Sequence, residues 1–181
     1  MDAIINNWPV WFVTLALVVA AWIDGKELRV PNWLTFSFIA TGWIYSFVAF
    51  GWEGLGWSLT GTVVGLVLLL PAYAIGGMGA GDVKLLAGIG AWMYTTHTFY
   101  AFIWTTVIGA IMAVAMVVYS KSLKKHSNQF MSILNEIMTI RDPNQLSAIA
   151  ADRKPTMMLL PYGIPMAVGT IAYFAWSGLL V

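Results

Sequence analysis

The chain has 181 residues, of which 60% are hydrophobic and 9% charged, against about 25% charged in ordinary globular chains. That balance excludes a soluble domain and predicts an all-α, polytopic integral membrane protein forming a single domain over residues 1–181. The formal net charge is +1 and no basic tract carries interleaved aromatics, so nucleic acid is not an expected partner; the lack of cysteine excludes disulfides, thiolate metal sites and a cysteine nucleophile.

About six apolar segments read as membrane helices, since roughly 20 residues cross the hydrocarbon core. Trp8–Ile23 comes first. The N-terminus has neither a basic region nor a small-residue cleavage site, so this segment is expected to be retained. Trp33–Phe50 and Trp57–Ile75 follow, and in the latter Gly61 and Gly65 form a small-xxx-small pair suited to close helix packing. Val83–Thr95 is short: its about 13 residues rise only about 20 Å against a core of about 30 Å. It either joins Phe99–Tyr119 through a bend or begins below the membrane surface. Met157–Leu180 is the last segment. Before it lies a larger loop, 120–156, where Phe130, Ile133, Leu134 and Ile137 give Asn128–Ile140 one apolar face. That face fits an interfacial helix, a lid, or a solvated connector with a short amphipathic turn.

Lys and Arg set the orientation. With the N-terminus outside, the cytoplasmic loops 24–32, 76–82 (with Lys84 just beyond) and 120–156 hold all 9 Lys and Arg residues. The outer segments carry only Asp2 and Glu53 as charges. Both termini are therefore expected outside and the large loop inside. Trp8, Trp11, Trp52 and Trp57 fall at one interface, Trp22 and Trp33 at the other.

Two acids stand out in this frame. Asp24 lies where the first segment meets the cytoplasm, in "WIDGKELRVPNWLTF", and Asp82 at the cytoplasmic entrance of the fourth, in "GGMGAGDVKLLAGIG". Each has a plain reading. Asp24 beside Lys26 and Arg29 fits a solvated interfacial charge, and Asp82 fits a helix N-cap. Together they admit chemistry. Two carboxylates in a partly desolvated pocket share one proton, because like-charge repulsion and burial raise one pKa. The ionised member can take a proton from water while the protonated member polarises a carbonyl. Gly76, Gly77, Gly79 and Gly81 give room for an extended peptide backbone alongside. A phosphate loop is excluded, because "GDVKLL" lacks both the Gly-Lys pair and the following hydroxyl. His97 and His126 lack acidic partners at metal-ligand spacing, so no metal or other cofactor is expected, and both are expected at the surface.

The "GAGD" of Gly79–Asp82, the Pro31–Asn32 that follows Asp24, the "GDVKLL" of Gly81–Leu86 and the "LPYGIP" of Leu160–Pro165 resemble the type IV prepilin peptidases. These are membrane aspartic endopeptidases of the G-x-G-D class. The resemblance runs from Asp24 to the last helix. It implies catalytic aspartates at Asp24 and Asp82, with supporting or substrate-binding roles for Gly79, Gly81, Lys84, Pro31, Asn32, Tyr162 and Gly163. It implies an inner-membrane enzyme that cuts a short basic leader from a prepilin or pseudopilin at the cytoplasmic face, just before the substrate's hydrophobic helix. The larger members carry paired CxxC cysteines ahead of the first helix and N-methylate the new pilin terminus. This chain has no cysteine and resembles the short tight-adherence (Flp) type, which implies no methylation. Three other readings stay open: an archaeal-type preflagellin peptidase, a G-x-G-D protease cutting deep within helices, and a proton- or cation-coupled transporter or channel using the same acids.

Overall fold

A chain this apolar must satisfy its backbone hydrogen bonds internally, and helices do so within one segment. The computed structural model describes residues 7–74, 78–119 and 161–180, together with positions 139, 145 and 149, and is all helical, with no strand among the described residues. Its elements are α1 (Trp8–Glu27), α2 (Asn32–Ala74), α3 (Ala80–Tyr119) and α4 (Gly163–Trp176). The first three are long and apolar enough to cross a membrane, and α4 is a shorter apolar helix. The protein is a multi-pass membrane protein.

The segmentation differs from the sequence expectation in an instructive way. Where two pairs of separate helices were expected, α2 and α3 each run on through a single non-helical residue: Gly51 (φ 65°, ψ −150°) and Tyr94 (φ 58°, ψ −175°). Both residues reverse the chain. A straight helix would hold Trp43 and Thr62 roughly 28 Å apart at 1.5 Å per residue, yet Trp43 Nε1 donates to Thr62 Oγ1 at 3.0 Å. The short Val83–Thr95 segment accordingly joins its successor through a bend, the first of the two options its length allowed.

Glycines let the arms approach. Gly61 on the second arm of α2 lies backbone to backbone against Gly90 of α3, and Gly42 on the first arm packs on Ala91. The small-xxx-small pair thus works as expected, against a glycine-bearing partner face. On the other side, Gly169 of α4 sits on the backbone of Trp104 and Thr105 in the second arm of α3. The core between these elements is filled by Leu17, Leu85, Leu86, Ile89, Met166 and Phe174, all essentially inaccessible. Ser58 Oγ adds a 2.6 Å bond to the Ala91 carbonyl.

Two helix ends are shaped by left-handed residues. α1 stops at Leu28 (φ 53°), whose N–H returns to the Asp24 carbonyl at 2.8 Å. A leucine in that region costs about 1–2 kcal/mol, and the chain turned there delivers Val30 onto Gly81. α4 ends short of the expected Leu180. Gly178 (φ 73°) closes it, with Leu179 N–H on the Phe174 carbonyl (2.9 Å) and Gly178 N–H on Ala175 (3.3 Å). That is a Schellman cap, with Leu179 folded back onto the core.

Candidate active site

Charge is rare in the described bundle, and burying it is costly without partners. Asp24 and Asp82 are nevertheless 3% and 8% exposed. Each is positioned by a helix N-terminus, where unpaired backbone N–H groups favour a negative charge.

Asp82 is held locally. It is the third residue of α3, after Gly79 at the cap position. Its Oδ2 accepts the Gly79 N–H at 3.1 Å, and its own N–H donates to the Gly79 carbonyl at 3.2 Å. This is the returning half of a capping box: Asp82 does cap the helix, but from its third position, with Gly79 and not Asp82 at the N-cap the sequence suggested. Gly81 needs its missing side chain, because a methyl group there would stand 2.7 Å from the Val30 carbonyl oxygen.

Asp24 is held across the fold. In the last turn of α1, its Oδ2 accepts the N–H of Gly163, the first residue of α4, at 2.7 Å. It is not a solvated interfacial charge; its neighbours Lys26, Glu27 and Arg29 are the exposed ones. Glu27 and Arg29 pair at 3.0 Å on the open surface, where such a bridge contributes little. A methyl group on residue 163 would meet both Cβ and Oδ2 of Asp24 at 3.0 Å, so this approach requires glycine.

Tyr162, one residue before Gly163, brings the second acid to the same place. Its phenol lies within electrostatic reach of Asp82. Its ring rests over Gly109, where a methyl group would stand 3.4 Å from Cε2. Asp82 and Gly109 lie on opposite arms of α3, and the reversal at Tyr94 turns both toward Tyr162. The Tyr162–Gly163 dipeptide therefore contacts Asp24 and lies within electrostatic reach of Asp82. This arrangement offers two buried acids and a backbone donor that fixes one oxygen of each.

The remaining expected residues form the surrounding frame. Lys84 Nζ donates to Asn32 Oδ1 at 2.8 Å and sits 4.7 Å from the Phe36 ring centroid, tying α3 to the start of α2. The Pro31 carbonyl accepts the N–H groups of Leu34 (3.2 Å) and Thr35 (3.3 Å), capping α2. Gly76, Gly77 and His126 lie outside the described residues, as does Asn128–Ile140 apart from position 139. His97 departs from its expected surface role: half-buried, its Nδ1 lies 2.7 Å from the Tyr173 hydroxyl. Among the described residues no three His, Asp or Glu side chains converge as metal ligands would. Gly109 and Leu28 were not foreseen. An aliphatic-flanked glycine carries no chemical signal until a second helix lies on it.

Comparisons with known proteins bear on the same residues. The model of the type IV leader peptidase family matches residues 11–114, a stretch that contains both aspartates and ends before Tyr162–Gly163. The chain is 28% identical over 112 residues to the prepilin leader peptidase/N-methyltransferase of Aeromonas hydrophila, and to that of Aeromonas salmonicida (strain A449). Each alignment covers 58% of this chain and 38% of the relative, so the chain spans less than two fifths of the length of the curated relatives it matches. No solved structure matches.

Proposed function

The chain belongs to the type IV leader peptidase family, and from that premise we propose that it is an aspartic endopeptidase removing the short basic leader of Flp-like type IV prepilins. One observation carries the reading: two carboxylates, Asp24 and Asp82, are buried in a bundle where charge is rare, each with a backbone N–H on its Oδ2. In this reading Asp24 and Asp82 share one proton. The ionised member takes a proton from water, whose oxygen attacks the scissile carbonyl carbon, while the protonated member donates to the carbonyl oxygen. Collapse of the tetrahedral species breaks the C–N bond and sends a proton to the departing amine. Backbone N–H groups at the two helix ends keep the carboxylates in place during these transfers.

The site lies at the cytoplasmic side of the inner membrane, with both termini outside. What supports this is that Lys26, Arg29 and Lys84 accompany the two acids. A basic leader stays on that side, which puts the leader–helix junction level with the aspartates, and the substrate's apolar helix packs against the bundle from the lipid. Six crossings follow if each arm of α2 and α3 crosses once. Leader removal proceeds without N-methylation, in keeping with a chain that has no cysteine.

The test is mass spectrometry of the N-terminus of a leader-bearing pilin co-expressed with this protein. The expected product starts at the leader–helix junction and is unmethylated, and Asp24→Asn and Asp82→Asn each abolish it. Cleavage at the wild-type rate by either variant would remove the paired-acid reading. Cleavage within the hydrophobic helix would point to an intramembrane protease instead.

A further inference from the structure

Among the described residues, one hydrogen bond to another helix stands at each end of the short helix α4. At the inner end the Gly163 N–H meets Asp24 of α1 at 2.7 Å. About 15 Å along the helix, at 1.5 Å per residue, the Tyr173 hydroxyl lies 2.7 Å from His97 Nδ1 of α3. Either imidazole tautomer makes that bond, Nδ1 taking the phenol proton or giving its own. Tyr173 is buried and its ring stacks on Tyr100 at 5.6 Å, so the hydroxyl is held on His97 and not free to swing. The seam between the two ends is built of small and apolar contacts. Its rungs run antiparallel, with the Thr105 backbone against Gly169 and Gly109 against Pro165. Thr105 and Thr170 are fully buried, yet neither hydroxyl has a hydrogen-bond partner among the described residues. Close glycine packing holds two helices together in lipid, but directional polar contacts are what fix rotation and height.

We propose that the His97–Tyr173 bond is the outer anchor of α4, and that both residues are positioning residues for Asp24. By fixing the rotation and height of α4 from its outer end, the pair keeps the Gly163 N–H on the Asp24 carboxylate at the inner end. Neither residue acts on an acid directly; both act through the helix. Asp82, held by Gly79 within its own first turn, does not depend on them. The anchor gives His97, a half-buried titratable group that the cleavage chemistry leaves unused, a part in holding the site. The consequence for activity rests on the peptidase reading above; the consequence for Gly163 does not.

The experiment uses Tyr173→Phe and His97→Phe, each of which keeps a ring in place and removes one side of the bond. Each is expected to lower kcat for leader cleavage about fivefold with KM within about twofold of wild type, as loss of one hydrogen bond allows. The double variant should be no worse than the more impaired single one, because the shared bond is already gone. A Tyr173→Phe enzyme at wild-type kcat, or losses that multiply in the double variant, would each overturn the proposal. A second readout needs no activity: amide hydrogen exchange, followed separately in the peptides containing Gly163 and Asp82. Exchange at Gly163 should accelerate about fivefold in Tyr173→Phe while exchange at Asp82 stays at the wild-type rate. Acceleration at both would be a general loosening of the bundle and would overturn the anchor role. Unchanged exchange at Gly163 overturns it even in an active enzyme. If the wild-type protein cleaves no pilin but the exchange result holds, the peptidase reading fails while the anchor stands.

Discussion

The two buried aspartates occupy similar chemical settings by opposite means. Asp82 is held by Gly79, three residues away in its own first turn. Asp24 is held by Gly163, from the far end of the chain. The first arrangement needs only a local turn and exists as soon as α3 forms. The second exists only when α1 and α4 are packed side by side. One acid is a property of its own segment, the other a property of the whole fold.

Perturbations should therefore act unequally on the two sides. The largest effect is common to both: Asp24→Asn and Asp82→Asn are each expected to reduce leader cleavage by about a thousandfold or more, measured by single-turnover kinetics, because either loss ends proton sharing. Gly163→Ala comes next. Its methyl group would stand 3.0 Å from the Asp24 carboxylate oxygen and from its Cβ, so α1 or α4 must give by a few tenths of an ångström. A loss between about tenfold and about a hundredfold is expected, because Cβ moves only with the backbone. Gly79→Ala is the matched probe on the other side. There the methyl group meets Asp82 Oδ2 at 3.3 Å, a clash the side chain can relieve by a few tenths of an ångström, and about a tenfold loss or less is expected. Equal losses for the two alanine variants would erase the contrast between a local and a tertiary holder. The smallest effect is predicted for Lys84→Met. Removing its bond to Asn32 should lower stability in detergent by about 0.5–1 kcal/mol and leave kcat within about threefold.

The two reversals offer the same lesson in the scaffold. Gly51 and Tyr94 have nearly the same backbone conformation, in a region that is essentially glycine-only. At Gly51 the residue type announces the turn. At Tyr94 it does not, and the conformation is kept by neighbours: the hydroxyl is 3.5 Å from Ser46 Oγ, the ring makes an edge contact with Trp57, and the Tyr94 carbonyl accepts the Thr98 hydroxyl at 2.6 Å. The apolar pattern placed a break near each position, as a loop after Phe50 and as either a bend or a separate short segment after Thr95. A single residue with positive φ reverses a helix with no loop at all, and nothing in the apolar pattern distinguishes the two.

Composition and the long continuous apolar runs determined that this chain is a helical membrane protein, because a helix satisfies its backbone within one such run whereas a barrel strand would alternate apolar and polar residues. The distribution of Lys and Arg determined its expected orientation. That orientation put Asp24 and Asp82 on one side, and the resemblance carried by Gly79–Asp82 and Pro31–Asn32 made them the expected pair. Only the tertiary structure decided what holds Asp24. That the Gly163 N–H meets Asp24 and that the Tyr162 ring lies on Gly109 follow from the chain reversal at Tyr94 and the seating of α4. Those contacts join residues far apart in sequence, and local pattern carries no record of which distant backbone N–H a buried carboxylate will meet.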